Sequence, residues 1–587
     1  MPPELSGLKN LAEGLFARCR RDPGAPISWT RRDGHFRPVT AAEFGTRVRR
    51  LAAGLARLGI HAGDRVLVMA PNSLEWALLD FAILTIGAIT VPLYPSLGQG
   101  EIRYVVEDSG VTAIFLEGAT EYCRLPEGGW DIGHGPILLR NTDGLPDSGL
   151  RSWTELEQAE PEMPEEALAE RLAGIGRTDL ASIVYTSGTT GWPKGVMLSH
   201  GNILSNIEGF LPLVPLRTGQ RLLSVLPLSH IFERGTGHFG AYLLGLEVAY
   251  AERPDTVLRD MAAARPDIVI AVPRILQLLY GRVRRNLEDH HGWMGRFLRE
   301  GLLGTPAART GPWQQQIARS LVARRLRKKM GGRIRYLVSG GAPLDPQICQ
   351  FFLDLGLPVV EGYGMTEASP VISANPLEAI RPGTVGRFLP NLEGRIAGDG
   401  EILVRGPSVM QGYWNNGSAT REALKDGWLH TGDVGEVDAE GYLRITDRKK
   451  DMIVNAAGEN IAPQKIEMRL MAHPLISQAV VFGDRLPYLV ALVYPHPEVA
   501  AERMGLHPDP QTLQRLVRSA VDEALAGLPS FEQVRRFALL PEPLSEKTGT
   551  LTPTLKIRRR QVGEQYAALL AGLEGKPEPP GTAPDGS

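Results

Sequence analysis

Helical and strand-like hydrophobic patterns alternate along the N-terminal part of the chain. Apolar residues at helical spacing over 41–58, closed by Gly59, predict an amphipathic helix, and Ser73 is placed to cap the next helix. A further helix is predicted over 101–108. Short apolar runs between these helices predict strands at 65–69, 89–91 and 113–116. Such alternation predicts parallel sheets covered by helices, in which ligands gather at the carboxyl ends of the strands.

The same alternation continues into the middle of the chain. Apolar runs there predict strands at 181–185, 222–226, 268–272 and 334–338. Residues 155–177 are acidic and rich in Pro and Ala, which predicts a surface connection. Beyond a boundary near 446–451, helices are predicted at 463–472 and 511–526 and strands at 478–482 and 489–493.

These patterns predict an α/β fold with two domains of unequal size. A large N-terminal domain of parallel-rich sheets covered by helices spans 1–446, and a small α+β C-terminal domain spans 452–574. Residues 575–587 are rich in Pro, Gly and Asp, which predicts a disordered tail.

Residues 76–94 are nearly all apolar and about as long as a bilayer span. Asp80, Gly87 and Pro92 interrupt this run, which favours a buried helix followed by a strand. The N-terminus lacks a basic start followed by an apolar core, so no signal peptide is predicted. We therefore expect a soluble, cytoplasmic chain.

Charge and cysteine content narrow the classes of function. The 587-residue chain has a formal net charge of −2, which gives no electrostatic basis for binding nucleic acid. Cys19, Cys123 and Cys349 lie far apart in the sequence, so neither a disulfide framework nor a Cys-rich metal site is predicted.

A basic segment at 282–329 ends in the run Arg-Arg-Leu-Arg-Lys-Lys. The simpler interpretation of this segment is a solvated helical face. The alternative is peripheral contact with anionic lipid at the inner face of a membrane. The sequence also leaves a homodimer open.

The stretch from Tyr185 to His200 carries the strongest chemical signal. Small residues let a backbone fold tightly around an anion, and hydroxyl groups add hydrogen-bond donors. Lys194 adds positive charge, although the Gly-x-x-x-x-Gly-Lys-Ser/Thr spacing is absent and Pro193 argues against a helix that starts on the lysine. The predicted polyphosphate cradle comprises Thr186, Ser187, Gly188, Thr189, Thr190, Gly191 and Lys194.

A Gly/Ser/Thr surface loop would explain the six small residues alone, but not sixteen residues in this order. The whole stretch resembles the phosphate-loop signature of the adenylate-forming superfamily. That superfamily includes acyl-CoA synthetases, luciferases and the adenylation domains of peptide synthetases. The resemblance covers roughly residues 40–560, with every core motif in the family's order.

Two further motifs contribute to the nucleotide site that this resemblance implies. Tyr363 is implied to stack on adenine, Thr366 to contact the α-phosphate, and Glu367 to bind Mg²⁺ together with Thr186. A turn followed by a helix is the alternative interpretation of the residues around Glu367. The family's backbone also lies along the adenine at Gly340, Gly341 and Ala342.

The C-terminal part supplies a second set of candidate residues. Asp433 has two acceptor oxygens that suit the two ribose hydroxyls, and Arg448 resembles the family's second ribose ligand. The resemblance implies a hinge at 447–451, with Lys450 at the hinge position, about which the C-terminal domain is mobile. Lys556 matches the lysine that bridges the carboxylate and the α-phosphate during adenylation. The alternative for Asp433, Arg448 and Lys450 is an exposed loop charge. The alternative for Lys556 is a basic tail segment.

Four candidate residues concern the other substrates, CoA and the fatty acid. Gly458 matches the glycine beside the family's pantetheine tunnel, although Ala457 stands where a second glycine is common. His230 matches a residue on the acyl side of the adenylate, and Ile231 and Phe232 are expected to border the acyl pocket. The alternative for His230 is a structural histidine.

The forms Leu-Thr-Pro-Thr-Leu-Lys and Pro-Leu-Ser-His-Ile-Phe-Glu-Arg resemble the long-chain fatty acyl-CoA synthetase branch. The resemblance implies an ATP-dependent long-chain fatty acid–CoA ligase that uses ATP, Mg²⁺ and a fatty acid, with CoA as co-substrate. Fatty acid and ATP would give acyl-AMP and pyrophosphate, and CoA would then displace AMP.

Three alternatives stay open. The chain could be an acyl-AMP ligase that loads a carrier protein, or a CoA ligase for a medium-chain or aryl carboxylate. The alternative from another class is a catalytically inactive nucleotide-binding regulator. The presence of Lys556, Glu367 and Asp433 together argues against the regulator.

Overall fold

A computed structural model of the chain describes residues 5–125, 134–139, 151–158, 161–186, 192–252, 256–288, 312–449, 451–457, 459–504, 509–552 and 556–573. The chain forms two compact units. The first unit contains Met1–Thr431 and Val437–Arg444, and the second contains Gly432–Glu436 and Ile445–Ser587. The hinge at 447–451 stays a prediction. The sites predicted at 187–191, Lys450 and Gly458, and the predicted tail, lie outside the described residues.

The N-terminal part of the first unit is an alternation of helices and strands. In chain order these are α1 (Leu11–Arg21), β1 (Pro26–Arg32), β2 (His35–Thr40), α2 (Ala41–Arg57), β3 (Arg65–Met69), α3 (Leu74–Thr85), β4 (Ile89–Pro92), α4 (Gln99–Ser109), β5 (Ala113–Leu116), α5 (Ala119–Tyr122), β6 (His134–Leu138), β7 (Arg151–Ser152), α6 (Trp153–Gln158), α7 (Glu165–Ala173) and β8 (Leu180–Thr186).

The remainder of the first unit follows, and its last two strands run on into the second unit. In chain order the elements are β9 (Lys194–Ser199), α8 (His200–Phe210), β10 (Arg221–Ser224), a π-helix (Glu233–Gly240), α9 (Ala241–Leu243), β11 (Glu247–Tyr250), α10 (Val257–Ala264), β12 (Ile268–Ala271), α11 (Pro273–Glu288), α12 (Pro312–Lys329), β13 (Tyr336–Ser339), α13 (Pro346–Asp354), β14 (Val359–Gly364), a 3₁₀-helix (Thr366–Ala368), β15 (Val371–Ala374), β16 (Arg387–Phe388), β17 (Glu393–Ile396), β18 (Glu401–Arg405), β19 (Gly412–Tyr413), α14 (Gly417–Ala423), β20 (Leu424–Lys425), β21 (Trp428–Val437) and β22 (Leu443–Arg448).

Two large sheets dominate the first unit. One has the strand order β19-β9-β8-β4-β3-β5-β6-β7, and the other has the order β16-β15-β14-β13-β12-β10-β11-β1-β2. The strands from β8 to β7 in the first order are parallel neighbours, as are those from β14 to β1 in the second. Antiparallel strands occur only toward the ends of both orders among the described residues. The predicted parallel-rich α/β architecture is therefore confirmed.

The second unit is a small α+β structure. Beyond β22 its elements are β23 (Ile453–Val454), β24 (Asn460–Ile461), α15 (Pro463–Ala472), β25 (Ile476–Phe482), β26 (Leu489–Pro495), α16 (Pro497–Met504), α17 (Pro510–Ala524), a 3₁₀-helix (Ser530–Glu532), β27 (Val534–Leu539), α18 (Arg559–Gln565) and α19 (Ala567–Leu573). Strand β26 lies between β25 and β27 in one sheet. One apolar core joins this sheet to α15 and α17, and a second joins it to α18 and α19.

Most predicted elements are present within a few residues of their predicted bounds. Strands 65–69 and 113–116 and helix 463–472 have the bounds that the sequence predicts, and the Ser73 hydroxyl accepts the Trp76 N–H as a cap. The prediction of a surface connection over 155–177 was wrong in part. Helices α6 and α7 cover much of it, because Leu156, Leu168 and Leu172 are buried against the domain.

The apolar run at 76–94 forms most of α3 and all of β4, as predicted. All residues of α3 from Leu74 to Thr85 except Glu75 are buried, because α1, α2 and β4 pack around the helix. Within the part of the chain that the structure describes, no helix is both long and apolar enough to cross a bilayer.

Candidate active site

The predicted phosphate cradle begins and ends on two paired strands. Strands β8 and β9 are antiparallel, and their last described pair before the turn is Thr186 opposite Lys194. Residues directly opposite on such a pair have side chains on the same face of the sheet. The hydroxyl of Thr186 and the ammonium of Lys194 therefore flank the turn. The prediction that no helix starts on Lys194 is confirmed, since β9 begins there.

Close packing fixes this hairpin in the sheet. A Cβ atom at Gly195 would lie 2.8 Å from Ile183 Cγ2 and 3.0 Å from Tyr185 Cζ, so only glycine lets β9 approach β8 this closely. Tyr185 donates a hydrogen bond of 2.5 Å from its hydroxyl to Asp108 Oδ2 at the end of α4. The backbone that leads into and out of the cradle is thus held from both sides.

A second hairpin presents Thr366 and Glu367. Strands β14 and β15 are antiparallel, and the 3₁₀-helix lies in the connection between them. A Cβ atom at Gly364 would lie 2.0 Å from the Pro370 carbonyl oxygen, so this connection requires glycine. Thr366 and Glu367 are each 9 % exposed. The alternative for these residues was a turn followed by an ordinary helix. The structure instead has a strand, β14, followed by a single 3₁₀ turn.

Tyr413 joins the two hairpins, and sequence reasoning missed it. Its hydroxyl donates a 2.8 Å hydrogen bond to Glu367 Oε1, and Lys194 Nζ lies 5.1 Å from the centroid of its ring. Burial and the nearby Glu367 carboxylate raise the pKa of Tyr413 well above its ordinary value, so the phenol stays protonated. The lysine of the predicted cradle and the predicted metal ligand therefore both contact one aromatic side chain, that of Tyr413.

The predicted adenine turn follows β13. Gly341 has φ +83°, a left-handed conformation that favours glycine. The Leu344 N–H donates a 3.1 Å hydrogen bond to Glu361 Oε1, which closes the turn onto β14. Burial raises the pKa of Glu361 to about 8. Sequence reasoning gave Glu361 no role, because the sequence does not show which group a polar side chain in a strand contacts.

Phe232, one of the predicted acyl residues, contacts the predicted adenine turn. A Cβ atom at Gly340 would lie 2.8 Å from Phe232 Cζ, so the Phe232 ring packs directly against the turn. The Phe232 N–H donates a 3.1 Å hydrogen bond to His230 Nδ1, which leaves Nε2 as the nitrogen that carries the proton in the neutral ring. Ile231 is fully buried, whereas His230 and Phe232 are partly exposed.

A buried ion pair holds the π-helix that follows Phe232. Arg234 donates to both oxygens of Asp80 in α3, at 2.8 and 2.6 Å, and to the Ser182 hydroxyl in β8 at 2.6 Å. Burial alone would raise the pKa of Asp80, but Arg234 and His238 together outweigh burial and hold that pKa well below its ordinary value. This pair connects the predicted acyl-side segment to β8, the strand that leads into the predicted phosphate cradle.

The two predicted ribose ligands lie together in the second unit. Arg448 Nε donates a 2.9 Å hydrogen bond to Asp433 Oδ1, across the neighbouring strands β21 and β22. Asp433 is 4 % exposed, whereas the side chain of Arg448 is 44 % exposed. The alternative of an exposed loop charge therefore does not hold for Asp433.

Lys556 lies in the second unit, where its backbone is hydrogen-bonded to Thr552. Its N–H donates to the Thr552 hydroxyl at 3.0 Å, and its carbonyl oxygen accepts from the Thr552 N–H at 2.8 Å. Elsewhere in this unit, Asn455 Oδ1 accepts the N–H groups of Ala457 and Glu459 at 2.9 Å each.

The donor set suits a metal ion that is bound mainly through a nucleotide. Among the described residues, no group of three or more His, Cys, Asp or Glu side chains could hold a metal ion. Mg²⁺ in nucleotide sites is typically bound by one or two protein oxygens together with phosphate oxygens. A single fixed carboxylate at Glu367, with the Thr186 hydroxyl, fits that pattern.

Comparison with known proteins agrees with this architecture. Residues 15–414 match the family described as AMP-binding enzyme, and residues 450–574 match the AMP-binding enzyme C-terminal domain. The chain is 36 % identical to long-chain-fatty-acid–CoA ligase FadD15 of Mycobacterium tuberculosis, over 97 % of both chains. It is 32 % identical to the peroxisomal long chain acyl-CoA synthetase 7 of Arabidopsis thaliana, over 92 % of this chain and 82 % of the relative.

Solved structures share the fold. The anthranilate CoA ligase AuaEII, in complex with anthranoyl-AMP, superposes with a TM-score of 0.76 at 20 % identity, covering 97 % of this chain and 100 % of that one. The adenylation domain of a carboxylate reductase from Mycobacterium chelonae superposes with a TM-score of 0.77 at 22 % identity, covering 97 % and 91 %. The family matches together span most of the sequence, and the relatives match it nearly end to end. The chain belongs to the AMP-binding enzyme family.

Proposed function

We propose that this chain is an ATP-dependent long-chain fatty acid–CoA ligase. The observation that supports this most is its 36 % identity, over 97 % of both chains, to a relative named as such a ligase. Further relatives with that kind of name match over 92 % of this chain or more. The paired hairpins that carry Lys194 and Glu367 supply a matching polar site in the first unit.

In the first half-reaction a carboxylate oxygen of the fatty acid attacks the α-phosphorus of ATP. The bond from that phosphorus to the bridging oxygen of pyrophosphate breaks, which gives acyl-AMP and pyrophosphate. Thr186 and Lys194, with the turn between them, hold the β- and γ-phosphates, and Thr366 contacts the α-phosphate. Such a site acts by positioning and by neutralising charge that develops in the transition state.

Mg²⁺ supplies charge neutralisation on the phosphates when it is bound. Glu367 and Thr186 are the protein oxygens that would hold it. Tyr363 and the turn Gly340–Ala342 receive the adenine, and Asp433 with Arg448 receives the ribose hydroxyls. Lys556 interacts with the carboxylate and the α-phosphate while the negative charge is redistributed between them.

In the second half-reaction the CoA thiolate attacks the acyl carbonyl carbon, and AMP leaves with the electron pair of the broken carbon–oxygen bond. No side chain forms a covalent intermediate. We assign Gly458 to the path of the pantetheine arm and Lys450 to the hinge. His230, Ile231 and Phe232 border the acyl group, where Phe232 packs against the adenine turn.

The test measures both half-reactions with the full chain, Mg²⁺ and a panel of carboxylic acids. A long-chain fatty acid should support exchange of labelled pyrophosphate into ATP without CoA, and formation of acyl-CoA with it. Exchange followed by loading of a carrier protein, with no acyl-CoA, would favour an acyl-AMP ligase. A preference for medium-chain or aryl acids would change the substrate class, and absence of exchange with every acid would favour a regulator.

Contact with an anionic membrane is a second proposal, supported by α12. Trp313, Ile317 and Leu321 are 65, 45 and 41 % exposed and stand four residues apart, so they share one face of the helix. The last turns add a cluster of exposed cations, Arg324, Arg325, Lys328 and Lys329. Such a face suits insertion of apolar side chains at a surface that also attracts cations.

Cosedimentation with lipid vesicles tests the membrane proposal. The chain should bind vesicles that contain phosphatidylserine and not vesicles of phosphatidylcholine alone. A triple substitution of Trp313, Ile317 and Leu321 by Ser should abolish binding. Equal binding of both vesicle types, or full binding by the triple variant, would refute the proposal.

A further inference from the structure

We propose that Tyr413 is a positioning residue for the adenylation step, with two separable tasks. Its hydroxyl fixes the orientation of the Glu367 carboxylate, and its ring holds the Lys194 ammonium. The inference rests on the proposed function, because it assigns Tyr413 to the half-reaction in which Glu367 and Lys194 take part. Tyr413 would touch neither the nucleotide nor the acid itself.

The backbone around Tyr413 is fastened to both hairpins. Strand β19 is antiparallel to β9, with Tyr413 opposite Val196, and the Trp414 N–H donates to the Gly195 carbonyl oxygen at 2.7 Å. On the other side, the Met410 N–H donates to the Glu367 carbonyl oxygen at 2.8 Å. The segment 410–414 is therefore a bridge from the strand of Lys194 to the 3₁₀-helix of Glu367.

The hydroxyl contact orients a carboxylate that has few other positions available. Tyr413 donates to Oε1 of Glu367 over 2.8 Å, and both residues are 9 % exposed. A carboxylate with one oxygen held by a donor presents its other oxygen in a fixed direction. Orientation of this kind by a neighbouring hydrogen bond is how proteins set the geometry of metal-ligating side chains.

The ring of Tyr413 contacts the positively charged group, the ammonium of Lys194. Lys194 Nζ lies 5.1 Å from the ring centroid, within the range over which a cation is attracted to an aromatic face. The long stem of a lysine would otherwise sample many rotamers. One side chain thus contacts both a cation and an anion of the proposed site and restricts the positions of both.

Two substitutions separate the two tasks. Tyr413→Phe removes the hydroxyl and keeps the ring over Lys194, whereas Tyr413→Leu removes both. Tyr442→Phe is the matched control, because the buried Tyr442 hydroxyl donates a hydrogen bond of the same length, 2.8 Å, to the Ala379 carbonyl oxygen outside the site. All three variants are made in the full chain.

The first readout is the Mg²⁺ dependence of pyrophosphate–ATP exchange. Tyr413→Phe should raise the Mg²⁺ concentration required for half-maximal exchange and lower the exchange rate about 10- to 100-fold, the effect expected when a hydrogen bond to a charged group is lost. Its rate of acyl-CoA formation from supplied acyl-AMP should equal that of the wild type. Tyr413→Leu should in addition raise the KM for ATP.

The second readout does not use activity. ATP with Mg²⁺ should raise the thermal midpoint of the wild type more than ATP with a chelator, and Tyr413→Phe should lose most of that difference. Tyr442→Phe should keep it. An unchanged Mg²⁺ dependence in Tyr413→Phe, or an equal loss of both half-reactions, would overturn the inference. Absence of exchange in the wild type would instead refute the proposed function.

Discussion

Replacement of Glu361 by Gln should make the stability of the first unit less sensitive to rising pH. Burial raises the pKa of this carboxyl from 4.5 to about 8 in the folded state. Each tenfold change in an ionisation equilibrium corresponds to about 1.4 kcal/mol. Holding the ionised form in this place therefore costs the fold roughly 4 to 5 kcal/mol relative to the neutral acid.

The direction in which stability changes with pH follows from which state, folded or unfolded, holds the Glu361 proton. Between about pH 4.5 and 8 the folded state keeps the Glu361 proton and the unfolded state releases it. The contribution of this residue to stability is thus complete below pH 4.5 and is lost as the pH rises toward 8. Between pH 5.5 and 7.5 the wild type should lose roughly 3 kcal/mol more than Glu361→Gln, which has no proton to release.

Urea denaturation followed by tryptophan fluorescence at pH 5.5, 6.5 and 7.5 measures this difference. Glu361→Gln keeps an acceptor for the Leu344 N–H, so the adenine turn stays anchored. Glu166→Gln, at an exposed position, is the control and should give a curve parallel to that of the wild type. Parallel curves for Glu361→Gln and the wild type would refute the reasoning.

Three further outcomes concern the site. Lys556→Ala should abolish acyl-AMP formation and spare acyl-CoA formation from supplied acyl-AMP. Replacement of Lys547, an exposed lysine in the same unit, by Ala should affect neither reaction. Equal loss of both half-reactions in Lys556→Ala would remove the role given to Lys556. Gly364→Ala should lower the free energy of unfolding by about 1–3 kcal/mol and impair pyrophosphate exchange, because its Cβ atom would lie 2.0 Å from the Pro370 oxygen. Asp433→Asn should raise the KM for ATP about tenfold or more, because the amide accepts at one oxygen only and leaves Arg448 without its carboxylate; an unchanged KM would contradict the ribose assignment.

Local patterns were sufficient for most of the fold. Strands and helices with one buried face leave a period in the sequence, and Gly and Pro mark where that period ends. Strand 65–69 and helix 463–472 could therefore be bounded to the residue. Helices α6 and α7 were missed, because the acidic composition of this segment predicted a surface connection although the leucines at 156, 168 and 172 are buried.

The connections within the site were not predictable from the sequence alone. Tyr413 contacts a carboxylate 46 positions away, and Arg234 pairs with an aspartate 154 positions away. The local sequence around either residue does not indicate which residue it contacts, since each contact arises from how the strands are ordered in the sheets. The roles of the individual site residues stay predictions, and the variants above test them.

Exchange of labelled pyrophosphate into ATP, measured with Mg²⁺ and a long-chain fatty acid in the absence of CoA, tests the central claim most directly. The account predicts exchange that depends on the fatty acid, and AMP as the nucleotide product once CoA is added. Release of ADP, or no exchange with any acid tested, would contradict it.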